Sequence, residues 1–387
     1  MHQNLAQGKD PNIKLLFITN DLGVGGVERL TVDFANHLDK NRFRVSIANL
    51  LDGPQSSFHV DQMDPDVQLH RFHFKRFWDF GGWFRLYRYI RQEKFDVVFT
   101  QLFMSDLFGR TAAYAARVPV IVYAIQNLIP SWPKKYIVTD RILRYITDVC
   151  ISPTHTITVF AQEVIGFSAD KIRVMPTNSV NLRRFTTPLD KATVRRSINV
   201  PEDCRMVITV GRLVEQKGHT VLLKAIPAIL EEEPNTFFIF VGAGRLESDL
   251  KKEAADLGVS SHVRFLGARK DVPDLMRSAD IFAFPSVFEG QGMSLFEAMF
   301  SDLAIVASRV GGIPDVIKHE ETGLLCEPGN AGELARTLVR ILRDDELRKR
   351  LATEVRQRYS DRTMDQAAKE LGNLFIELLE RKIGRSA

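Results

Sequence analysis

The stretch RMVITVGRLVEQKGHTVLLKAIPAILEEEPNTFFIFVG, residues 205–242, decides the fold. Arg205–Gly211 and Thr236–Gly242 are short apolar runs that each end on glycine. The amphipathic run His219–Glu233 lies between them. Two buried strands joined by a helix-length segment form a parallel pair with a crossover helix. The same rhythm continues on both sides. Downstream, strands are expected at Val263–Gly267, Ile281–Ser286, Ala304–Val310 and Gly323–Glu327, with helices at Leu246–Leu257, Val272–Ala279, Ser294–Phe300 and Ala331–Arg343. Upstream, they are expected at Lys14–Asn20, Val45–Leu51, Val67–Phe74, Val97–Gln101, Val120–Gln126 and Val149–Pro153, with helices near Gly26–Lys40, Trp83–Lys94, Ser105–Val118 and Lys135–Asp148. Such alternation predicts an α/β protein with parallel sheets covered by helices on both faces.

A chain of 387 residues suits two such domains. The polar stretch Asn181–Arg205, with Pro188 and Pro201, marks the break, giving domains 1–182 and 183–362. Residues 345–384 read as helices without an intervening strand, and the last, Thr363–Gly384, is amphipathic. Cys150, Cys204 and Cys326 are widely spaced, which argues for a reducing compartment and against a zinc or disulfide framework. The opening MHQNLAQGKDPNIK has no apolar signal core and no run approaches membrane-spanning length, so a cytoplasmic protein is expected. Residues 1–180 carry 21 basic against 17 acidic side chains, and the remainder carries 31 of each. The whole excess of +4 therefore lies in the first half, too small for a dedicated nucleic-acid binder.

In open α/β sheets, ligands bind beyond the carboxyl ends of strands. After Ile281–Ser286 comes EGQGMSLFEAM, residues 289–299. Gly290 and Gly292 offer bare backbone N–H groups just before a helix, a setting that suits phosphate, and Glu289 and Glu297 flank them. Ser294 and Glu297 also fit an S-x-x-E capping box, which accounts for Glu297 without a ligand. After Arg205–Gly211 comes GRLVEQKGH, where Arg212 and Lys217 leave the strand end before the helix begins. Two cations there are either a solvated loop or a device for stabilising a departing diphosphate.

The pattern P-S-x-x-E-G-x-G-x-x-x-x-E-A-M, preceded by G-R-L-x-x-x-K-G, resembles the signature of the family 4 (group 1) glycosyltransferases. The resemblance implies two Rossmann-like domains facing a central cleft, the GT-B fold, with the C-terminal helix 363–384 completing the first domain. It implies a retaining, metal-independent enzyme that moves a sugar from a nucleotide-sugar donor, most commonly a UDP-sugar, to a glycan, lipid-linked or other hydroxyl acceptor. Neither cofactor nor metal is expected. On this resemblance Arg212 and Lys217 grip the diphosphate, Glu289 orients the sugar and Glu297 holds the ribose hydroxyls. The backbone at Gln291, Gly292, Met293 and Ser294 lines the phosphates, Gly242 lies near the nucleotide and the turn at Arg269 meets the base. In the first domain Gly25 and Gly26, within DLGVGGVE, face the donor.

The sequence departs from the family at four positions, the first being Gln291, which stands where an aromatic residue usually follows the first E-G. Gln126 stands where the family often has a histidine, so acid or base chemistry there is absent. Ser179 and Asn181 replace the glycine and aspartate of N-G-V-D. Asp64 and Asp66 form a D-x-D, a metal motif of another glycosyltransferase architecture, but nothing else of that architecture accompanies it. A nucleotide-sugar 2-epimerase shares the GT-B architecture, and a scaffold that binds nucleotide-sugars without catalysis is the non-enzyme alternative. Finally, Arg71–Lys94 carries seven cations and two carboxylates among many aromatics, the pattern of an anionic membrane surface contact, which the family resemblance would put at the inner leaflet. The alternative there is a core face of Phe84, Tyr87 and Ile90 with a solvated arginine face.

Overall fold

A computed structural model describes residues 13–51, 57–75, 79–126, 133–175, 179–290 and 292–384. Gln291 and the Arg76–Trp78 part of the basic aromatic stretch lie outside the described residues. The described chain divides into two compact units. One runs to Ser179 and resumes at Thr363; the other is Val180–Arg362. The break thus falls just ahead of the polar stretch Asn181–Arg205. That stretch belongs to the second unit, where it forms a short turn of helix at Leu182–Phe185 and the helix Lys191–Ser197.

Among the described residues the first unit holds seven strands: β1 (Ile13–Thr19), β2 (Phe43–Asn49), β3 (Gln68–Arg71), β4 (Val97–Gln101), β5 (Val120–Ala124), β6 (Val149–Ser152) and β7 (Ile172–Val174). They pair in the order β3-β2-β1-β4-β5-β6-β7, all parallel. The sequence reading lacked β7, which has only three residues and one exposed valine. The C-terminal helix Met364–Gly384 packs on this unit: the Phe375 ring lies 6.2 Å from Phe43 and 6.3 Å from Phe99. Lys382 pairs with Asp148 at 2.6 Å.

The helix expected at Trp83–Lys94 runs from Phe80 to Glu93, because Asp79 caps it by accepting the Gly82 N–H at 2.7 Å. Its core face is Leu86 and Ile90, with Trp83 and Tyr87 half-buried and stacked on each other. Phe84 is not in the core as helical spacing suggested. It is 56% exposed, beside Phe80 at 75%. The Asp64–Asp66 motif is engaged locally, with Asp64 at 3.8 Å from Lys40. Among the described residues no cluster of His, Cys, Asp and Glu is arranged to hold a metal, and no helix is long and apolar enough to cross a membrane.

The second unit holds β8 (Arg205–Val210), β9 (Thr236–Val241), β10 (Val263–Phe265), β11 (Ile281–Phe284), β12 (Ala304–Ser308) and β13 (Leu324–Cys326). All pair in parallel, in the order β10-β9-β8-β11-β12-β13. Strand residues alternate between two cores. Met206 and Ile208 point into one; Val207, Phe238 and Phe240 point into the other. Both faces are covered, so the strands are near-continuous apolar runs. The chain leaves β8 leftward to β9 and β10, then returns to β11 on its other side. In open α/β sheets such a reversal is where ligands bind, at the carboxyl ends of the two strands, here β8 and β11.

Candidate functional site

The sequence-predicted donor residues of the second unit follow the carboxyl ends of four neighbouring strands. Arg212 and Lys217 follow β8, Gly242 follows β9, Arg269 follows β10, and Glu289 to Glu297 follow β11. The β8 and β11 loops are drawn together by backbone. The Val287 N–H donates to the Gln216 carbonyl at 2.8 Å. Gly218 adopts φ +64, and a Cβ there would sit 1.9 Å from the Pro285 carbonyl oxygen. Only glycine permits both that conformation and that approach. Between the loops, the Lys217 ammonium forms an ion pair with the Glu289 carboxylate, both side chains nearly buried. Glu289 is fixed further by the Ser286 hydroxyl at 3.4 Å and by the Gly290 N–H at 3.2 Å.

Arg212 is different. It is exposed, and no carboxylate among the described residues pairs with it. The backbone beneath it is held by His219, whose Nε2 lies 3.2 Å from the Arg212 carbonyl. Burial pushes the His219 imidazole down to about 4, so the ring is neutral at pH 7 and Nε2–H is the donor. Gly242 is packed against the same loop: its N–H donates to Gly267 O at 2.8 Å, and a Cβ on it would meet Gly211 O at 1.9 Å. The Arg269 guanidinium closes on Asp271, with Nε 2.8 Å from Oδ1. The arginine side chain is thus engaged locally, and the neighbouring Lys270 carbonyl accepts from Arg184.

The helix after β11 starts at Met293, with Gly292 as its cap at φ +70. The Ser294–Glu297 capping box does not form. The Ser294 hydroxyl donates instead to Val210 O at 2.9 Å, tying the helix to the end of β8. The Glu297 carboxylate is buried and meets the Arg184 guanidinium at 3.4 Å. Sequence reasoning missed three supports of this site. Arg184 lay in the stretch read as a linker. His219 was read only as the start of a helix. Gly311, after β12, has φ +56 and would place a Cβ 1.9 Å from Glu289 O. The Gly311-Gly312 pair at a strand end was the one signal available for the last of these.

In the first unit, Gly25 and Gly26 follow β1, and Gln126 follows β5. Gly25 caps the helix Gly26–His37 in an extended conformation, so what calls for glycine is space. A Cβ there would meet the Glu28 carboxylate at 2.0 Å, the movable end of a flexible side chain, so packing requires glycine only while Glu28 keeps this rotamer. The Gln126 amide donates to Gln101 Oε1 at 3.1 Å, and the Gln101 amide donates in turn to the Thr31 hydroxyl. The family's usual histidine is thus replaced by a chain of groups that do not titrate. Two further departures stand at Ser179, which is buried, and at Asn181. Asn181 still caps its turn, accepting the Arg183 N–H at 3.2 Å.

Comparison with known proteins agrees with this layout. Residues 24–184 match the family model described as Glycosyltransferase Family 4, and residues 190–358 match the one described as Glycosyl transferases group 1. The chain is 25% identical over 350 residues to the UDP-Gal:alpha-D-GlcNAc-diphosphoundecaprenol alpha-1,3-galactosyltransferase of Escherichia coli, covering 83% of this chain and 86% of that one. It is 30% identical over 192 residues to the lipopolysaccharide core biosynthesis glycosyltransferase LpsE of Rhizobium meliloti, covering 49% of this chain and 54% of that one. Its fold is similar to that of Anabaena HepE, crystallised with UDP and glucose, with a TM-score of 0.83 at 22% identity over 95% of this chain and 100% of that one. The two models together account for most of both units, and the chain belongs to the group 1, family 4 glycosyltransferases, transferase enzymes of the GT-B fold.

Proposed function

We propose that the second unit binds a UDP-sugar and that the enzyme transfers its hexosyl group, with retention and without a metal, to a hydroxyl acceptor in surface glycan or glycolipid synthesis. The observation that carries this reading is the pairing of nearly buried Lys217 with buried Glu289 beside Arg212, which no carboxylate among the described residues pairs with, all at the β8–β11 reversal. Arg212 and Lys217 supply positive charge where the diphosphate oxygen takes the electron pair of the breaking anomeric C–O bond. The acceptor oxygen forms its bond on the same face, and its proton passes to the leaving phosphate oxygen. Gln126 fits this route, because an amide takes no proton at neutral pH. Glu297 accepts from the ribose hydroxyls, and its failure to form a capping box supports that role. The surface-glycan context comes from the relatives, whose names specify an undecaprenol-linked acceptor and lipopolysaccharide core synthesis.

A panel of nucleotide sugars tests the donor. The matching compound should raise the melting temperature, since a ligand of the folded state stabilises it by mass action. With an acceptor supplied, the product should be a glycoside of unchanged anomeric configuration, accompanied by free UDP. Turnover should survive EDTA. Loss on chelation with recovery in Mn²⁺ would refute the metal-independent reading and redirect attention to Asp64 and Asp66. An isomerised nucleotide sugar as product would favour the epimerase alternative.

Contact with an anionic membrane belongs to the same reading. The helix Phe80–Glu93 exposes Phe80 and Phe84 together with Arg88 and Arg91. Aromatic rings beside cations suit the headgroup layer, where a lipid-linked acceptor is presented.

A further inference from the structure

Arg184 is the second arginine of Leu182–Phe185, a single helical turn at the start of the second unit. The turn is anchored at both ends. Asn181 caps it, and Phe185 is buried in the domain core. The side chain it presents reaches two features of the donor site at once. Nη1 lies 3.4 Å from Glu297 Oε1, and Nη2 donates to the Lys270 carbonyl at 3.2 Å. Glu297 sits in the helix after β11 and Lys270 in the turn after β10, so one planar guanidinium spans the carboxylate and the base turn.

We propose that Arg184 is a positioning residue of the donor site, which orients Glu297 and the base turn so that the site selects a ribonucleotide carrying both ribose hydroxyls. The proposal rests on the assignment of Glu297 to the ribose. A carboxylate with two oxygens has about four acceptor positions, so Arg184 and two vicinal hydroxyls can be served together. The guanidinium fixes the plane of the carboxylate, which decides whether both hydroxyls are reached. A lysine in its place would be a point charge that could meet one partner but not both in a fixed geometry.

Titration calorimetry with UDP and with 2′-deoxy-UDP tests the idea, because it needs neither acceptor nor turnover. The unmodified protein should prefer UDP by about tenfold or more, the worth of one hydrogen bond to a charged group. Arg184→Met should weaken UDP binding about tenfold, leave 2′-deoxy-UDP nearly unchanged and bring the ratio close to one. Arg184→Lys, which keeps the charge should the methionine variant not fold, should give an intermediate ratio. In a Glu297→Gln background the Arg184 substitution should no longer alter the ratio. Equal weakening of both nucleotides by Arg184→Met, with the preference intact, would overturn the proposal and leave Arg184 as an anchor of the fold. No preference in the unmodified protein would overturn the ribose assignment of Glu297 itself, and this proposal with it.

Discussion

Lys217 and Glu289 stabilise each other only as a pair. The Glu289 side chain is 4% exposed and that of Lys217 13%, so removing one partner strands a charge out of water. Lys217→Met should therefore cost about 3–5 kcal/mol in urea denaturation at pH 7. Adding Glu289→Gln should return much of that loss, a non-additivity that two independent surface residues would not show. Two buried histidines, His219 beside this pair and His59 in the first unit, tie stability to pH. Burial pushes His219 down to about 4, with the Lys217 charge acting in the same direction and the Arg212 carbonyl opposing; burial and the nearby Arg29 push His59 to about 4. Each imidazole binds a proton more readily in the unfolded chain, whose histidines titrate near 6.5. The stability they contribute is complete above about pH 6.5 and falls as pH drops toward 4, by about 1.4 kcal/mol per pH unit for each. The urea midpoint measured across that window should fall accordingly, and His219→Asn should remove part of the slope. A midpoint flat from pH 6.5 to 4 would show that these rings are protonated in the folded state. The sequence could announce Lys217 and Glu289 through their spacing from the strand ends. It could not announce their contact, because 72 residues separate them.

The loops that build the site depend on glycine at places where backbone meets backbone. Gly218→Ala imposes φ +64 on a side-chain-bearing residue and drives a Cβ into the Pro285 carbonyl. Gly258 offers a control: it has φ +69 with nothing within 4 Å of a Cβ. Gly258→Ala should cost only the conformational penalty, about 1 kcal/mol, whereas Gly218→Ala should cost clearly more and weaken UDP binding as well. Equal costs would mean that the close approach of the β8 and β11 loops contributes nothing. At this scale the strands were legible because apolar runs bounded by glycine admit few alternatives, as at β8 and β9. The ends of helices were less so. Ser294 and Glu297 satisfy the capping pattern on paper, yet the helix begins two residues after Gln291 because Gly292 takes the left-handed conformation and frees Ser294 to reach Val210. Arg184 was not legible at all. A four-residue turn has no periodicity, and its partner Glu297 lies 113 residues downstream.

Across the whole chain, charge and exposed apolar surface are divided unequally between the two units. The excess of +4 lies in residues 1–180, and the C-terminal segment 363–387 that joins the first unit adds four charges of each sign. Among the described residues, seven of the eight exposed large apolar side chains also belong to the first unit, Phe80, Phe84, Tyr114, Val138, Ile142, Tyr145 and Val174, and Val287 belongs to the second. Scattered apolar residues need no explanation, but Phe80 and Phe84 lie one helical turn apart and share their helix with Arg85, Arg88 and Arg91. Of these, Arg85 is tied to the Phe72 carbonyl at 2.8 Å, which leaves Arg88 and Arg91 as the better substitutions. The protein should co-sediment with liposomes containing anionic lipid at low salt and be released at high salt, since screening shortens the reach of surface charge. Arg88→Glu with Arg91→Glu should abolish this at low salt, and Phe80→Ser with Phe84→Ser should weaken it by removing apolar contact with the acyl boundary. Neither change touches the second unit, so UDP affinity should stay constant. Binding that ignores lipid charge, or survives all four substitutions, would remove this helix as the docking surface, and no binding to any liposome would favour an acceptor met in solution.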